Sequence, residues 1–487
     1  MPSRAVLLAG LLPLLAILYT QYSTILSALV PGKYAPSLPR SRTPIVMAST
    51  PAFSHLEKIT TIAEGLVRLG YPVLFLSGPD FKDHIESIGA TYVPIEGKGS
   101  GLMSPEKMHK FVALQGDEQQ IFAMSTVFVD EIPPQHRTLQ QIFTDIRSQH
   151  GEHQPLICLF DSSFVGLTPV LYGAPGTRPD AAIAIGLAPY TGASNDTFPF
   201  RTGQQPDTSA DAKQIHFKAQ QQQYASSPDR ELNAHVREVV SGLGASTAVP
   251  GLFDLFATAS DTYLQLGVPE FEYPRSDLRP GLKYIGAPVA VGMAERVLPE
   301  WWGDVLEAKK QGKTIVAVTP SSVVFDNNLL IIPALEALAD RSDVFVVATL
   351  VNFEVEQLDF KIPGNARVAK FIPLDLALPH VDVLITNGGY GTIQQALKAG
   401  VPIIATGVGE DKAQTGGIIN YVGNGIYHAV HQADKEMVSK AFEDVLNNKS
   451  YKAVSEAIAK ECARYDAVEI ADAEIQRAVK TALASRS

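Results

Sequence analysis

Thr386-Asn-Gly-Gly-Tyr-Gly-Thr-Ile-Gln-Gln395, followed by Glu410-Asp411-Lys412, is the stretch on which the reading of this chain turns. Just upstream, Val381-Asp-Val-Leu-Ile385 is short, apolar and rich in β-branched residues, and so reads as a buried strand. Downstream, Thr392 to Lys398 places Ile393, Ala396 and Leu397 on one helical face, and Gly400-Val-Pro402 ends the helix. The glycines therefore sit at a strand-to-helix turn, where a helix N-terminus offers unpaired N–H groups and a partial positive charge. Having no Cβ, glycine lets an anion approach that backbone. A second strand, Val401-Pro-Ile-Ile-Ala405, leads to the charged residues at 410–412. The unit reads as a phosphate cradle with a polyol-binding loop beside it.

The same alternation of elements recurs on either side. Ile45-Val-Met-Ala48 reads as a strand, His55 to Leu69 as a helix with Ile59, Ile62, Ala63, Leu66 and Val67 on its apolar face, and Tyr71 to Leu76 as a strand. Asp80 to Ile88 (helix) and Thr91 to Ile95 (strand) complete a β-α-β-α-β run, which implies a parallel, doubly wound sheet. Pro155 to Phe160 adds a further buried strand to this half. In the second half, Thr314 to Val318, Val344 to Ala348 and Ala366 to Lys370 read as strands, with a helix from Leu329 to Ala339. Between the halves lies Pro269 to Pro299, rich in proline, charge and turn residues, and residues 195–230 read as a polar, Gln/Ser-rich loop capping a cleft. The expected organisation is an anchor and linker over 1–43, one Rossmann-like domain over 44–285 and a second over 286–465. Residues 466–487 form a helix returning to the first domain.

Composition narrows the function. At 487 residues, two domains are the default, and 46% hydrophobic content supplies both cores. A net charge of −11 offers nothing to neutralise phosphates along a nucleic acid. Two cysteines, Cys158 and Cys462, cannot build a disulfide framework and suit a reducing compartment. The N-terminus differs in kind: residues 5–30 are apolar over a length that can span a bilayer, for which roughly 20 residues are needed. A retained single-pass anchor is the expectation, with a cleaved signal peptide or a peripheral hairpin as alternatives. Lys33, Arg40 and Arg42 follow the segment and only Arg4 precedes it, which places the body on the cytosolic side, for instance of the endoplasmic reticulum.

The segment from Phe371 to Asp411 resembles the donor-binding signature of the UDP-dependent glycosyltransferases of the GT-B fold. That pattern runs from an aromatic–x–Pro–Gln element through His/Asn-Gly-Gly-x-Gly-Thr and a Glu or Gln four residues after the last glycine to a final Asp-Gln. Here it reads Phe371-Ile-Pro373-Leu374, Asn387-Gly-Gly-Tyr-Gly-Thr392, Gln395 and Asp411-Lys412. The order and spacing of all four elements are kept, and a weaker likeness extends over most of the chain.

The resemblance implies two Rossmann-like parallel-sheet domains facing a cleft. It implies inverting transfer of a hexose, glucose by default, from a UDP-sugar to a hydroxyl of a small lipophilic acceptor such as a terpenoid, sterol, polyketide or phenol. Glu410-Asp411-Lys412 looks like fungal members, which modify secondary metabolites. On the donor side, Phe371 would stack on uracil and the Ile372 backbone read its edge. Asn387, Gly389, Gly391, Thr392 and Ser322 would meet the phosphates, Gln395 the ribose, and Asp411 with Lys412 the sugar. Tyr390 reads as packing at the turn. No Asp-x-Asp triplet occurs, so neither a metal nor another cofactor is expected.

On the acceptor side the family has Gly-His-x-x-x-Pro after the first strand, with the histidine as base. Ser54-His55 stands there, and Ile59 and Thr60 lie where the proline would fall. A histidine base needs a partner that orients its ring, and Asp161, at the end of the Pro155–Phe160 strand, is the candidate. Capping a helix near Ser163 is its plainer role. Two alternatives stay open: a sugar-nucleotide epimerase on the same fold, and an inactive, membrane-tethered binding partner. A nicotinamide-dependent dehydrogenase is disfavoured, since neither half carries Gly-x-Gly-x-x-Gly with an acidic residue roughly 20 residues on.

Overall fold

The computed structural model describes residues 38–288, 297–320 and 326–486. The apolar segment at residues 5–30 and Ser322 both lie outside them. Among the described residues, no helix is long and apolar enough to cross a membrane.

Two all-parallel sheets form the scaffold. The first contains β1 (Ile45–Ala48), β2 (Val73–Ser77), β3 (Thr91–Pro94), β4 (Ile157–Asp161), β5 (Ala181–Gly186), β6 (Thr262–Gln265) and β7 (Leu282–Tyr284), in the order β3-β2-β1-β4-β5-β6-β7. The second contains β8 (Thr314–Thr319), β9 (Val344–Thr349), β10 (Ala366–Ala369), β11 (Val383–Thr386), β12 (Ile403–Thr406) and β13 (Gly425–His428), in the order β10-β9-β8-β11-β12-β13. Strand order reverses between β1 and β4 in one lobe and between β8 and β11 in the other. Open parallel sheets bind ligands at such switch points, beyond the carboxyl ends of the strands. β7 is drawn from the proline-rich stretch between the halves, so the separator itself supplies an edge strand.

Helix α1 (Phe53–Arg68) follows β1 and buries Leu56, Ile59, Ile62 and Leu66 completely, each at helical spacing. Burying a side chain of this kind contributes about 1.5–3 kcal/mol. The 195–230 segment departs from the expected loop. It becomes helical at α2 (Ala212–Ala225), and α3 (Ser227–Gly242) follows at once. Gln, Ala and Lys are good helix formers, but α2 buries only His216 and so shows no apolar stripe to read.

In the second lobe, α4 (Tyr390–Ala399) follows β11 and α5 (Lys412–Val422) follows β12. The last helix, α6 (Ala467–Ala484), packs on α1 of the first lobe. A Cβ at Gly65 of α1 would collide with the Val468 side chain, so glycine is what permits the close approach. Arg40 and Tyr71 both bond Asp472 at this seam, at 2.7 and 2.6 Å. One apolar cluster runs from the α1 face through Ile393 and Leu397 of α4 to Ala471, Ile475 and Val479 of α6. The lobes therefore share a core along one side while the switch points face each other across the cleft.

Candidate active site

β1 and β4 pair in parallel with Ala48 opposite Phe160, which brings the residues just after β1 level with Asp161. His55, in the first turn of α1, reaches back so that Nδ1 lies 2.7 Å from Asp161 Oδ2. The carboxylate is fully buried and held from several sides. It accepts the Ser163 backbone N–H at 2.9 Å, the Ser163 hydroxyl at 2.9 Å and the Thr50 N–H at 3.3 Å. Asp161 caps a turn at Ser163 rather than a helix, since the next helical turn, Val165–Leu167, receives no side-chain cap, and the same carboxylate also faces the histidine. With a carboxylate accepting at Nδ1, the proton resides there and Nε2 keeps its lone pair. Nε2 has no hydrogen-bond partner among the described residues, and the His55 side chain is 27% exposed.

Electrostatics favour a ready base. Burial pulls the His55 pKa down, but the Asp161 carboxylate and its hydrogen bond outweigh this, and the net direction is upward. Burial opposes ionisation of Asp161 as well, yet the charge and hydrogen bond of His55 and the Ser163 bonds hold its carboxyl below the usual range. This is the polarity a general base requires, with a permanent anion behind the ring and an open nitrogen in front.

An aromatic run leads away from the His55 ring. Phe128, on a π-helical turn at Ser125–Val129, lies 6.4 Å from the His55 ring; Phe256 is 5.3 Å beyond it, then Phe253 at 5.9 Å and Phe200 at 5.5 Å. Phe128 and Phe256 belong to one buried apolar cluster and Phe253 packs against it; the helix that carries Phe253 and Phe256, Leu252–Thr258, has no sequence pattern that singles them out.

In the second lobe the glycine turn follows β11. Thr386 lies opposite Thr319 of β8 on one side and Ala405 of β12 on the other, so Asn387 emerges at the switch point. Gly388 adopts φ +81°, which side-chain-bearing residues rarely tolerate, and Gly389 caps α4. Asn387 is buried, and its Oδ1 has no hydrogen-bond partner among the described residues. Gly391 and Thr392 lie in the first turn of α4, and Gln395 follows one turn on, at i+4 from the first and i+3 from the second. Phe371, at the carboxyl end of β10, is 44% exposed, whereas Ile372 is buried beneath it.

Asp411 immediately precedes α5 but makes no capping bond to it. Burial and the neighbouring Glu410 charge push its carboxyl up to about 6, and it lies near enough to His55 to add to the upward pull on the imidazole. Lys412 is placed differently from the expectation. Its side chain is buried and its ammonium pairs with Glu410 at 2.5 Å, so in this structure it braces the loop. Glu410 itself holds φ +48°, a left-handed conformation that the ion pair helps to fix. Among the described residues, no three His, Cys, Asp or Glu side chains cluster so as to hold a metal ion.

Several contacts close the lobes on one another. The buried Tyr390 does more than pack at the turn: its hydroxyl donates to Leu266 O, just past β6, at 2.8 Å. The segment before α2 reaches α5, with the Ala413 carbonyl oxygen 2.7 Å from where a Cβ at Gly203 would stand. Lys58, one turn beyond His55, extends against Gly391 so closely that a Cβ there would collide with the Lys58 side chain. Sequence reading missed Lys58, although His55-x-x-Lys58 places both on one face of the helix.

With this geometry in hand, comparison with known proteins is informative. Residues 334–476 match the family model described as erythromycin biosynthesis protein CIII-like, C-terminal domain. The UDP-glucosyltransferase avaP of Aspergillus versicolor is 33% identical over 87% of this chain and 94% of its own length. UDP-glycosyltransferase 2 of Phaeomoniella chlamydospora is 33% identical over 88% of this chain and 94% of its own. Among solved structures, the glycosyltransferase of kitacinnamycin superposes with a TM-score of 0.62 at 19% identity. It covers 91% of this chain and the whole of its own, a likeness of fold.

Proposed function

This chain belongs to the UDP-glycosyltransferase family, and from that premise we propose that it is an inverting transferase. It moves a hexose from a UDP-sugar to a hydroxyl of a small lipophilic acceptor, a terpenoid, sterol, polyketide or phenol. The observation that carries this reading is the His55–Asp161 pair at one switch point, set against the glycine turn after β11 at the other. The aromatic run from Phe128 to Phe200 supports an apolar acceptor, and the name of the Aspergillus relative supports glucose.

In the proposed reaction the acceptor hydroxyl gives its proton to His55 Nε2 as its oxygen attacks the anomeric carbon. The bond from that carbon to the β-phosphate oxygen breaks, its electron pair leaves with UDP, and configuration inverts. Asp161 stabilises the imidazolium that forms. Negative charge growing on the diphosphate meets the N–H groups at Gly389, Gly391 and Thr392, with the Asn387 side chain beside them and the Ser322 hydroxyl as a further donor. Phe371 stacks on uracil, the Ile372 backbone reads its edge, Gln395 bonds the ribose and Asp411 the sugar. No metal takes part in this scheme. The test is UDP release from a panel of UDP-sugars, with and without lipophilic acceptors. Acceptor-dependent release supports transfer, a sugar epimerised without release would indicate an epimerase, and inertness toward every pair would mean a binding protein.

Asp411→Ala should weaken UDP-glucose binding by about 1.5–3 kcal/mol through loss of a charge-assisted hydrogen bond, while UDP affinity hardly moves. Gln395→Ala should weaken both ligands alike, since both carry the ribose. The wild-type enzyme should also lose UDP-glucose affinity as pH falls through about 6, where Asp411 takes up its proton and stops accepting. Calorimetry across pH reads this directly, and Asp411→Asn should flatten the dependence. Equal losses of UDP and UDP-glucose in Asp411→Ala would show that the loop does not read the sugar.

Residues 5–30 are proposed to anchor the chain, with the catalytic body on the cytosolic side. Fractionated cells should hold the full-length chain in membranes and a chain lacking residues 1–37 in the soluble fraction. Intact full-length protein found wholly soluble would rule the anchor out.

A further inference from the structure

Lys58 is a buried cation with no evident reason to be where it is. It sits on the first lobe's α1, three residues beyond His55 and on the same face. Only 9% of the residue is exposed. Its Nζ donates to Ser54 O at 2.9 Å and to Glu57 Oε2 at 3.3 Å, both on its own helix. The same side chain also lies against the other lobe. Its Nζ would lie 2.5 Å from a Cβ built on Gly391, so the glycine leaves the room that the ammonium occupies.

Gly391 is in the first turn of α4, the positive end of that helix. A cation placed there is repelled by the helix dipole, and packing alone gives no reason to bury it. An anion held at that turn beside the ammonium removes the conflict, because it takes N–H bonds from α4 and charge from Lys58 at once.

We propose that Lys58 binds the β-phosphate of UDP across the cleft and neutralises the charge that appears there as the sugar leaves. The lobe that carries the base would then also carry the countercharge for the leaving group. The electron pair of the broken bond stays on the phosphate oxygen, and no proton leaves Lys58. This rests on the UDP-sugar reading of the site.

The test is calorimetric titration of the full chain and of Lys58→Met and Lys58→Arg with UDP and with UMP, which lacks the β-phosphate. Lys58→Met should lose UDP affinity about ten- to hundredfold while UMP affinity stays at the wild-type value. Lys58→Arg should keep most of the UDP affinity. Unchanged UDP affinity in Lys58→Met, or parallel loss of UDP and UMP, overturns the assignment of Lys58. A wild-type chain that binds neither nucleotide overturns the donor reading itself, and Lys58 with it.

Discussion

Replacing His55 with alanine is expected to lower turnover by at least roughly a hundredfold, since a positioned general base supplies about 10²–10⁴. The variant should bind UDP as the wild type does, because His55 is assigned to the acceptor hydroxyl and no contact with the nucleotide is assigned to it. Loss of rate with retained UDP affinity therefore separates a catalytic fault from a folding fault. Folding itself should be little disturbed: the ring is partly exposed, and the α1 residues that pack the core are Leu56, Ile59, Ile62 and Leu66. Single-turnover rates at saturating UDP-sugar make the comparison. Near-normal turnover in His55→Ala would remove the base from the scheme.

Asp161→Asn is the second large effect, a fall in turnover on the order of 10²–10⁴ if the amide leaves the ring in the wrong tautomer. Its more discriminating consequence is a change in pH dependence. Only neutral His55 can accept a proton, so kcat/KM should fall as pH drops through the His55 pKa. Burial lowers that pKa and Asp161 raises it by more, so the wild-type acid limb should lie above the ordinary imidazole value of about 6.5. Removing the carboxylate leaves the burial effect unopposed by its largest counterweight. The acid limb of Asp161→Asn should therefore move to lower pH even though the plateau is lower. Because Asp411 also titrates near 6, the limb is best read from kcat at saturating donor, or in an Asp411→Asn background. An acid limb that stays in place would mean that Asp161 does not govern the ring.

Much of the architecture was legible because it is encoded locally. The strands at Ile45–Ala48, Val344–Thr349 and Ile403–Thr406 are short apolar runs between turn residues. The α1 helix shows its buried stripe in spacing alone. The α2 helix was not legible for the complementary reason: a helix that buries one histidine leaves no periodic trace. The edge strand β7, with a burial pattern no deeper than intermediate, is similarly faint within a proline-rich stretch. Lys412 illustrates a different limit. Its residue type and position suited a sugar contact, but whether its ammonium faces the cleft or Glu410 depends on a backbone conformation at 410 that residue type does not dictate.

By itself, the sequence determined the strand–turn–helix units, the two-lobed parallel class and the positions where chemistry-bearing residues leave their strands. Each of these depends on neighbours within about one turn of helix or one strand, the range over which periodicity and glycine punctuation act. Tertiary structure alone decided which of those residues meet. His55 and Asp161 are 106 residues apart and touch because β1 and β4 are neighbours at a reversal of strand order, which no local pattern records. The Lys58–Gly391 contact and the Tyr390–Leu266 bond were decided by closure of one lobe on the other, and the seat of α6 on α1 by the chain's final return. Shape matching over such separations is a property of packed surfaces, and it becomes visible only once both surfaces exist.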